Sequence, residues 1–340
     1  PMTLIQATEF LQLDRLEPHE ELRERRCLRM LDNVADARGF FEGDENLGIF
    51  FSHQWTSFAH PDPVNIQFFA ICEALRDVSM RQQVGLSNSY AWVDYCSIPQ
   101  ASMHTQRLAM NSLPVYISVL TAFVIVAPPV RHEDTGLMCD LHSYQNRGWC
   151  RAEQLSYRIR RGNSEVFCLD TPPRIMRDKG SVDSMRSDKG EPSVCELPTT
   201  VHILKKQYVD CDPKAFHVFD STAEFSCCIR EHLCGTRCCD KTALVLPMLG
   251  LFAYVYVKRD DLNFKKLYSM MERHRDEVFP QYYETDTSAG RVGQELFGPL
   301  VSKLKAKLDH MLAAGELDDW LQSASKSELL PPMGRVKTMV

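Results

Sequence analysis

The chain has 340 residues, 44% of them hydrophobic and 25% charged, an ordinary globular balance for which a packed core of one large or two ordinary domains is expected. Its formal net charge of −6 argues against a nucleic-acid partner. The one long apolar run, 243–257, is shorter than the ~20 residues that span a bilayer and holds Pro247 and Gly250, so it reads as core, and no membrane partner is expected.

Thirteen cysteines without regular spacing fit reduced thiols in the cytoplasm. No signal peptide is read, and a start at Pro1 leaves room for preceding sequence. Residues 1–45 read as a helical segment: 4–13 is mildly amphipathic, and beyond Pro18 the run from Glu20 to Arg26 carries the closely spaced opposite charges of a surface helix. From Gly48 the texture changes to Ile49-Phe50-Phe51-Ser52-His53-Gln54-Trp55, an apolar strand running into polar and aromatic residues, followed by the loop His60-Pro61-Asp62-Pro63. A helix is expected over 64–80, a strand over 90–95 closed by the turn Cys96-Ser97-Ile98-Pro99-Gln100, a second crossover helix over 106–120, and a third strand over 122–126. A loop of about twenty residues rich in charge and histidine follows, then a helix over 148–160 and a fourth strand over 164–169.

That alternation predicts an α/β fold over 46–170 with a doubly wound, flavodoxin-like parallel sheet. Residues 171–215, poor in apolar side chains, read as a linker or mobile insertion with a strand near 202–204. Residues 216–340 read as a mainly α-helical C-terminal region, with helices over 242–258, 262–278, 295–314 and 318–324.

Arg147-Gly148-Trp149-Cys150-Arg151-Ala152-Glu153 places a carboxylate four residues after a tryptophan, on the same face of a helix. The helix follows a strand, and open α/β sheets bind ligands beyond the carboxyl ends of their strands. Plainer readings stand beside this one. Glu153 could be an exposed helix residue paired with Arg147 or Arg151, His53 a satisfied turn residue, and Trp55, Trp149 and above all Trp92 core rings. Asp94 could cap the turn that carries Ile98, and Asp62 be a rigid turn residue. The cluster Arg158-Ile159-Arg160-Arg161 reads as a solvated helix end.

Three blocks in order, Phe50-Phe51-Ser52-His53-Gln54-Trp55, Trp92-Val93-Asp94-Tyr95-Cys96-Ser97-Ile98-Pro99-Gln100 and Arg147-Gly148-Trp149-Cys150-Arg151-Ala152-Glu153, resemble the fungal heterokaryon-incompatibility (HET) domain. More distantly they resemble the Toll/interleukin-1 receptor (TIR) fold. The chain lacks the glycine that follows Trp55 in the HET pattern and carries Pro99 within the second block. The resemblance covers 46–170 and implies a signalling or cell-death-type role with self-association. In NAD-hydrolysing TIR domains the catalytic glutamate closes a Trp-Cys-x-x-Glu spacing, the form of Trp149-Cys150-Arg151-Ala152-Glu153. The resemblance therefore implies that Glu153 is the catalytic carboxylate, that Trp149 helps form the pocket, and that Ser52 and His53 face the nicotinamide side of an NAD substrate.

The chemistry is compatible with one carboxylate, because nicotinamide leaves neutral and the charge that develops on the ribose needs only a nearby anion. Trp55 and Trp149 would stack on a flat base, Asp94 lies in a loop beyond a strand like Glu153, and Arg147 or Arg151 would meet the pyrophosphate. The alternatives are a non-catalytic module for homotypic protein–protein interaction and a nucleotide-binding regulator. Separately, Cys227, Cys228, His232, Cys234, Cys238 and Cys239 crowd into thirteen residues. Their adjacent pairs fit reduced thiols better than a metal, and the alternative is a zinc on Cys228, His232, Cys234 and Cys239.

Overall fold

The strands are short, and those over Leu47–His53, Ser89–Val93, Ala122–Val126 and Val166–Leu169 are apolar, largely β-branched or aromatic runs buried on both faces. In the computed structural model, which describes residues 1–43, 45–162, 165–173, 202–203, 217–230, 239–287 and 290–316, the strands are β1 (Met2–Gln6), β2 (Leu28–Leu31), β3 (Leu47–His53), β4 (Ser89–Val93), β5 (Ala122–Val126), β6 (Val130–Arg131), β7 (Met138–Cys139), β8 (Val166–Leu169) and β9 (His202–Ile203). Seven make one mixed sheet in the order β2-β1-β4-β3-β5-β8-β9, while β6 and β7 form a separate hairpin. The middle four, β4, β3, β5 and β8, are parallel. β1, β2 and β9 pair antiparallel at the two sides.

Two expectations are corrected here. Residues 1–45 are not a helical segment outside the sheet, since β1 lies between β2 and β4 and is buried along Met2–Ile5. The apolar residues there suit a short helix or a strand equally well, and pairing with β4 decides. Only α1 (Ala7–Phe10), α2 (His19–Glu24) and α3 (Val34–Phe41) are helical in that stretch. The sheet is accordingly mixed rather than wholly parallel.

Side chains alternate between the faces of each strand. One face carries Ile49, Phe51, Ala91, Val93, Val124 and Val126, and packs against α4 (Ile66–Arg81) through Phe68, Ile71 and Leu75. The other carries Phe50, Trp92, Phe123 and Ile125. There Phe50 stacks between Trp92, 4.5 Å away, and Phe123, 5.2 Å away, contacts worth about 0.5–1.5 kcal/mol each beyond their burial. Over this face lie α6 (Met103–Asn111), α7 (Leu113–Val119) and α9 (Gly148–Arg161). The crossover expected as one helix over 106–120 is thus two, separated at Ser112 with Pro114 in the first turn of α7, where its missing N–H is not needed. α5 (Asp94–Ser97) directly follows β4, and α8 (Leu141–Asn146) precedes α9 within what was expected to be a loop.

The C-terminal region builds a second core on the opposite side of α9. Ala152, Leu155 and Ile159 pack there with Phe219, Phe225, the helix Val245–Val257, Val278, Phe279, Phe297 and Val301. It also contains an antiparallel hairpin, Tyr282–Thr287 with Gly290–Glu295, absent from the helical expectation. Among the described residues one helical stretch, Asp240–Val257, has the length and composition to cross a membrane, and Val245–Val257 is largely buried in this core. The expected helix over 318–324 lies outside the described residues.

Candidate functional site

The period of two along β3 sends Ser52 and His53 in opposite directions. Ser52 faces α9, where its hydroxyl donates to Glu153 Oε2 at 2.5 Å and accepts from the Tyr144 hydroxyl at 2.6 Å. A serine has a single proton, so giving it to Glu153 makes Tyr144 the donor. His53 faces α4. Its Nδ1 lies 2.5 Å from Gln67 Oε1 and its Nε2 2.9 Å from Asp94 Oδ1. Gln67 donates its own amide to the backbone carbonyl of Gln54 at 2.7 Å, which turns its oxygen toward the ring. Both imidazole nitrogens therefore meet acceptors, the arrangement of an imidazolium.

Burial alone would lower the His53 pKa, but the charge of Asp94 and the hydrogen bonds that the ring donates to Asp94 and Gln67 overcome it and raise it to about 9. Burial likewise opposes the ionised Asp94, yet its carboxyl is held below the ordinary value by His53 and by donation from the Trp55 indole at 2.8 Å and the Tyr95 backbone at 2.6 Å. Glu153 goes the other way. Burial, reinforced by the charge of Asp94, pushes it up to about 8 against the Ser52 hydrogen bond and His53. Two carboxyls on one cavity wall are thereby separated, Asp94 ionised and Glu153 protonated at neutral pH, the pattern by which sites divide acid from base.

A cavity of about 290 Å³ opens past the ends of β3 and β4. His53, Trp55, Asp94, Trp149 and Glu153 all border it, as do Arg147, Gln54 and Trp92. Ser52 stands behind Glu153, not on the wall. Small-molecule sites run from about 300 to 1,000 Å³, so the cavity has room for a ring and a sugar, with the rest of a dinucleotide left outside. Glu153 is 9% exposed. Among the described residues no donor meets its Oε1. It is neither an exposed helix residue nor paired with an arginine.

Arg151 is a correction. It is 1% exposed and turns away from the cavity. Its guanidinium donates to the carbonyls of Gln145 and His217, to the Asp220 carboxylate, to Asn146 and to Thr222. All five N–H groups are used, leaving none for a pyrophosphate. It ties α9 to the segment around Asp220. The expected solvated end of α9 is also part of an interface, since Arg160 lies 3.4 Å over the Tyr254 ring. Asp62, expected to be a rigid turn residue, is wholly buried and accepts the Phe68 backbone N–H at 2.7 Å in the first turn of α4. Asp94 opens the single helical turn α5, accepting from Tyr95 N, and also forms the His53 pair.

The C-terminal region supplies wall residues that the motif blocks do not contain. Arg147 donates to the Ser226 hydroxyl, the Trp149 indole bonds to the Asp240 carboxylate, and Arg230 stands over the Phe58 ring at 5.0 Å. Gly148 lies against Phe225, whose ring a Cβ at 148 would overlap. Gln67 could have been suspected as a polar residue inside the apolar stripe of α4, and Asp240 stands out only as a neighbour of the cysteine cluster, whereas nothing local marks Tyr144 or Arg230. Of the four expected metal candidates the structure brings Cys228 and Cys239 together, with Cys227 as their neighbour. His232 and Cys234 lie outside the described residues. Comparison with protein families, curated proteins and solved structures finds no match to this chain.

Proposed function

We propose that the protein is a TIR/HET-like α/β protein that cleaves the nicotinamide–ribose bond of NAD, with Glu153 as its catalytic carboxylate. The observation that carries this reading is the placement of Glu153: a buried carboxyl on the wall of a ring-and-sugar-sized cavity, beyond the carboxyl ends of parallel strands. The parallel strands, numbered in chain order, stand as 2-1-3-4 with helices on both faces. This order is compatible with a flavodoxin-like, doubly wound sheet, in which ligands bind where the strand order reverses.

Burial keeps Glu153 neutral at the cavity wall. The nicotinamide of NAD is a pyridinium cation, and a cation beside a carboxyl favours the ionised form. Binding would thus release the Glu153 proton to solvent and generate the anion that stabilises charge on the ribose. As the carbon–nitrogen bond breaks, its electron pair leaves with the ring nitrogen as neutral nicotinamide. Water adds to the ribose carbon, and Glu153 takes the proton it gives up. Asp94 and His53 form a net-neutral pair and act as positioning residues, fixing Trp55 through its indole N–H. Arg147 and Arg230, both on the wall, replace Arg151 as the cations for the pyrophosphate.

The test is nicotinamide release from NAD by the purified protein over a range of concentrations, beside Glu153→Ala, with both confirmed folded by circular dichroism. Release that disappears in the variant supports the reading. No release from either protein, at concentrations where the chain self-associates, favours a homotypic interaction module in signalling or a cell-death-type response. The enclosure of Glu153 in the Tyr144–Ser52 chain fits that alternative, since such a network can serve the fold alone.

A further inference from the structure

We propose that Cys227, Cys228 and Cys239 form a structural zinc(II) site that fastens the C-terminal wall of the cavity. Their sulfurs make a nearly equilateral triangle, with Sγ–Sγ separations of 3.9 Å for Cys227–Cys228, 3.8 Å for Cys227–Cys239 and 3.7 Å for Cys228–Cys239. Zinc–sulfur bonds of about 2.3 Å in tetrahedral geometry put neighbouring sulfurs about 3.8 Å apart. The triangle has the dimensions of one face of that tetrahedron. It is far from the sulfur–sulfur bond of a disulfide, about 2.05 Å, so no two of the three are joined to each other.

Three neutral thiols gain little from meeting one another, because thiols are weak donors and weak acceptors. A soft divalent ion gives the arrangement a purpose. The single turn Ser226–Ile229 presents both adjacent sulfurs to the same point, which the sequence spacing argued against. Cys239 comes from the start of the next helical segment, and the Asp240 backbone N–H donates to Cys227 Sγ at 3.3 Å. Such outer contacts are usual around metal-bound sulfur. Each thiol yields its proton to solvent as its bond to zinc forms, so three protons leave per ion and no electron is transferred. A donor outside the triangle completes the tetrahedron.

The consequence reaches the cavity because Ser226, Cys227, Arg230 and Asp240 border it. An ion joining Cys227 and Cys228 to Cys239 holds these residues as one wall.

The full-length chain, purified without chelator, is expected to carry one equivalent of zinc by elemental analysis. Exchange for cobalt(II) should produce a thiolate-to-cobalt charge-transfer band and the strong visible absorption of a tetrahedral site. Both should be lost in Cys228→Ser and Cys239→Ser and kept in Cys27→Ser. Should the site variants fail to fold, alkylation of the wild-type chain decides, read peptide by peptide. Zinc should protect Cys227, Cys228 and Cys239 until a chelator is added. The proposal is overturned by a zinc-free preparation that gives no thiolate band with cobalt, by equal alkylation with and without chelator, or by a Cys228–Cys239 disulfide in the mass spectrum.

Discussion

Replacing Glu153 by glutamine should make the protein more stable at neutral pH while abolishing nicotinamide release. Burial raises the Glu153 carboxyl from an ordinary 4.5 to about 8, so the folded chain holds this proton more tightly than the unfolded chain does. An acid of that kind contributes most to stability below its unfolded pKa, and the contribution falls as pH rises toward the folded one. At pH 7 the cost of keeping Glu153 protonated is about 3 kcal/mol. Glutamine carries no such cost, and its amide oxygen can still accept from Ser52. Urea unfolding at pH 5 should place the two proteins within about 1 kcal/mol of each other, and at pH 7 the variant should lead by about 3 kcal/mol. Other titrating groups cancel in that difference. If the wild-type and variant midpoints instead move in parallel between the two pH values, Glu153 holds no buried proton and is not a neutral acid in the folded chain.

Further outcomes follow from the same contacts. Gly148→Ala should cost about 1–3 kcal/mol in a thermal melt by driving a methyl into the Phe225 ring, and Phe225→Leu in the same chain should restore part of it. Arg151→Met, which strands Asp220 and two carbonyls, should lower stability by about 3–5 kcal/mol in urea; an unchanged midpoint would remove its clamping role. His53 has a folded pKa of about 9, above its ordinary 6.5, so its contribution is complete below pH 6.5 and lost as pH rises through 9. Wild type should therefore lose about 3 kcal/mol more than His53→Asn between those limits, measured as the pH dependence of unfolding. Arg230→Ala should raise KM for NAD with kcat unchanged, as expected of a group that binds a remote part of the substrate; a fall in kcat alone would place Arg230 elsewhere in the cycle.

The alternation of β3, α4, β4, α6 and α7, β5, α9 and β8 was legible because each element has its own local period. The site residues came instead from the resemblance carried by the three motif blocks, and His53, Trp55, Asp94, Trp149 and Glu153 do meet on one cavity. What escaped is what packing decides. β1 is too short for periodicity to separate strand from helix, and its partner β4 lies more than eighty residues away. Arg151 and Glu153 are two positions apart, and the motif alone makes both candidates for ligand contact. On a helix they point in different directions, and only the C-terminal segment covering one side reveals that Arg151 is spent there. The cysteine triangle escaped for a similar reason, because sequence spacing does not report how one turn aims two adjacent sulfurs.

α9 is shared between two cores, with Cys150 and Tyr157 given to the sheet and Ala152, Leu155 and Ile159 to the C-terminal helices. The α/β layer is therefore not a portable cassette. A fragment ending near residue 170 would bare an apolar stripe beside Glu153 and leave most of the donors of Arg151 unmet. Rearrangement of this chain by fusion or recombination has no seam between its halves to exploit, and grafting the Trp149–Glu153 motif onto another protein would require bringing the far side of the helix along with it.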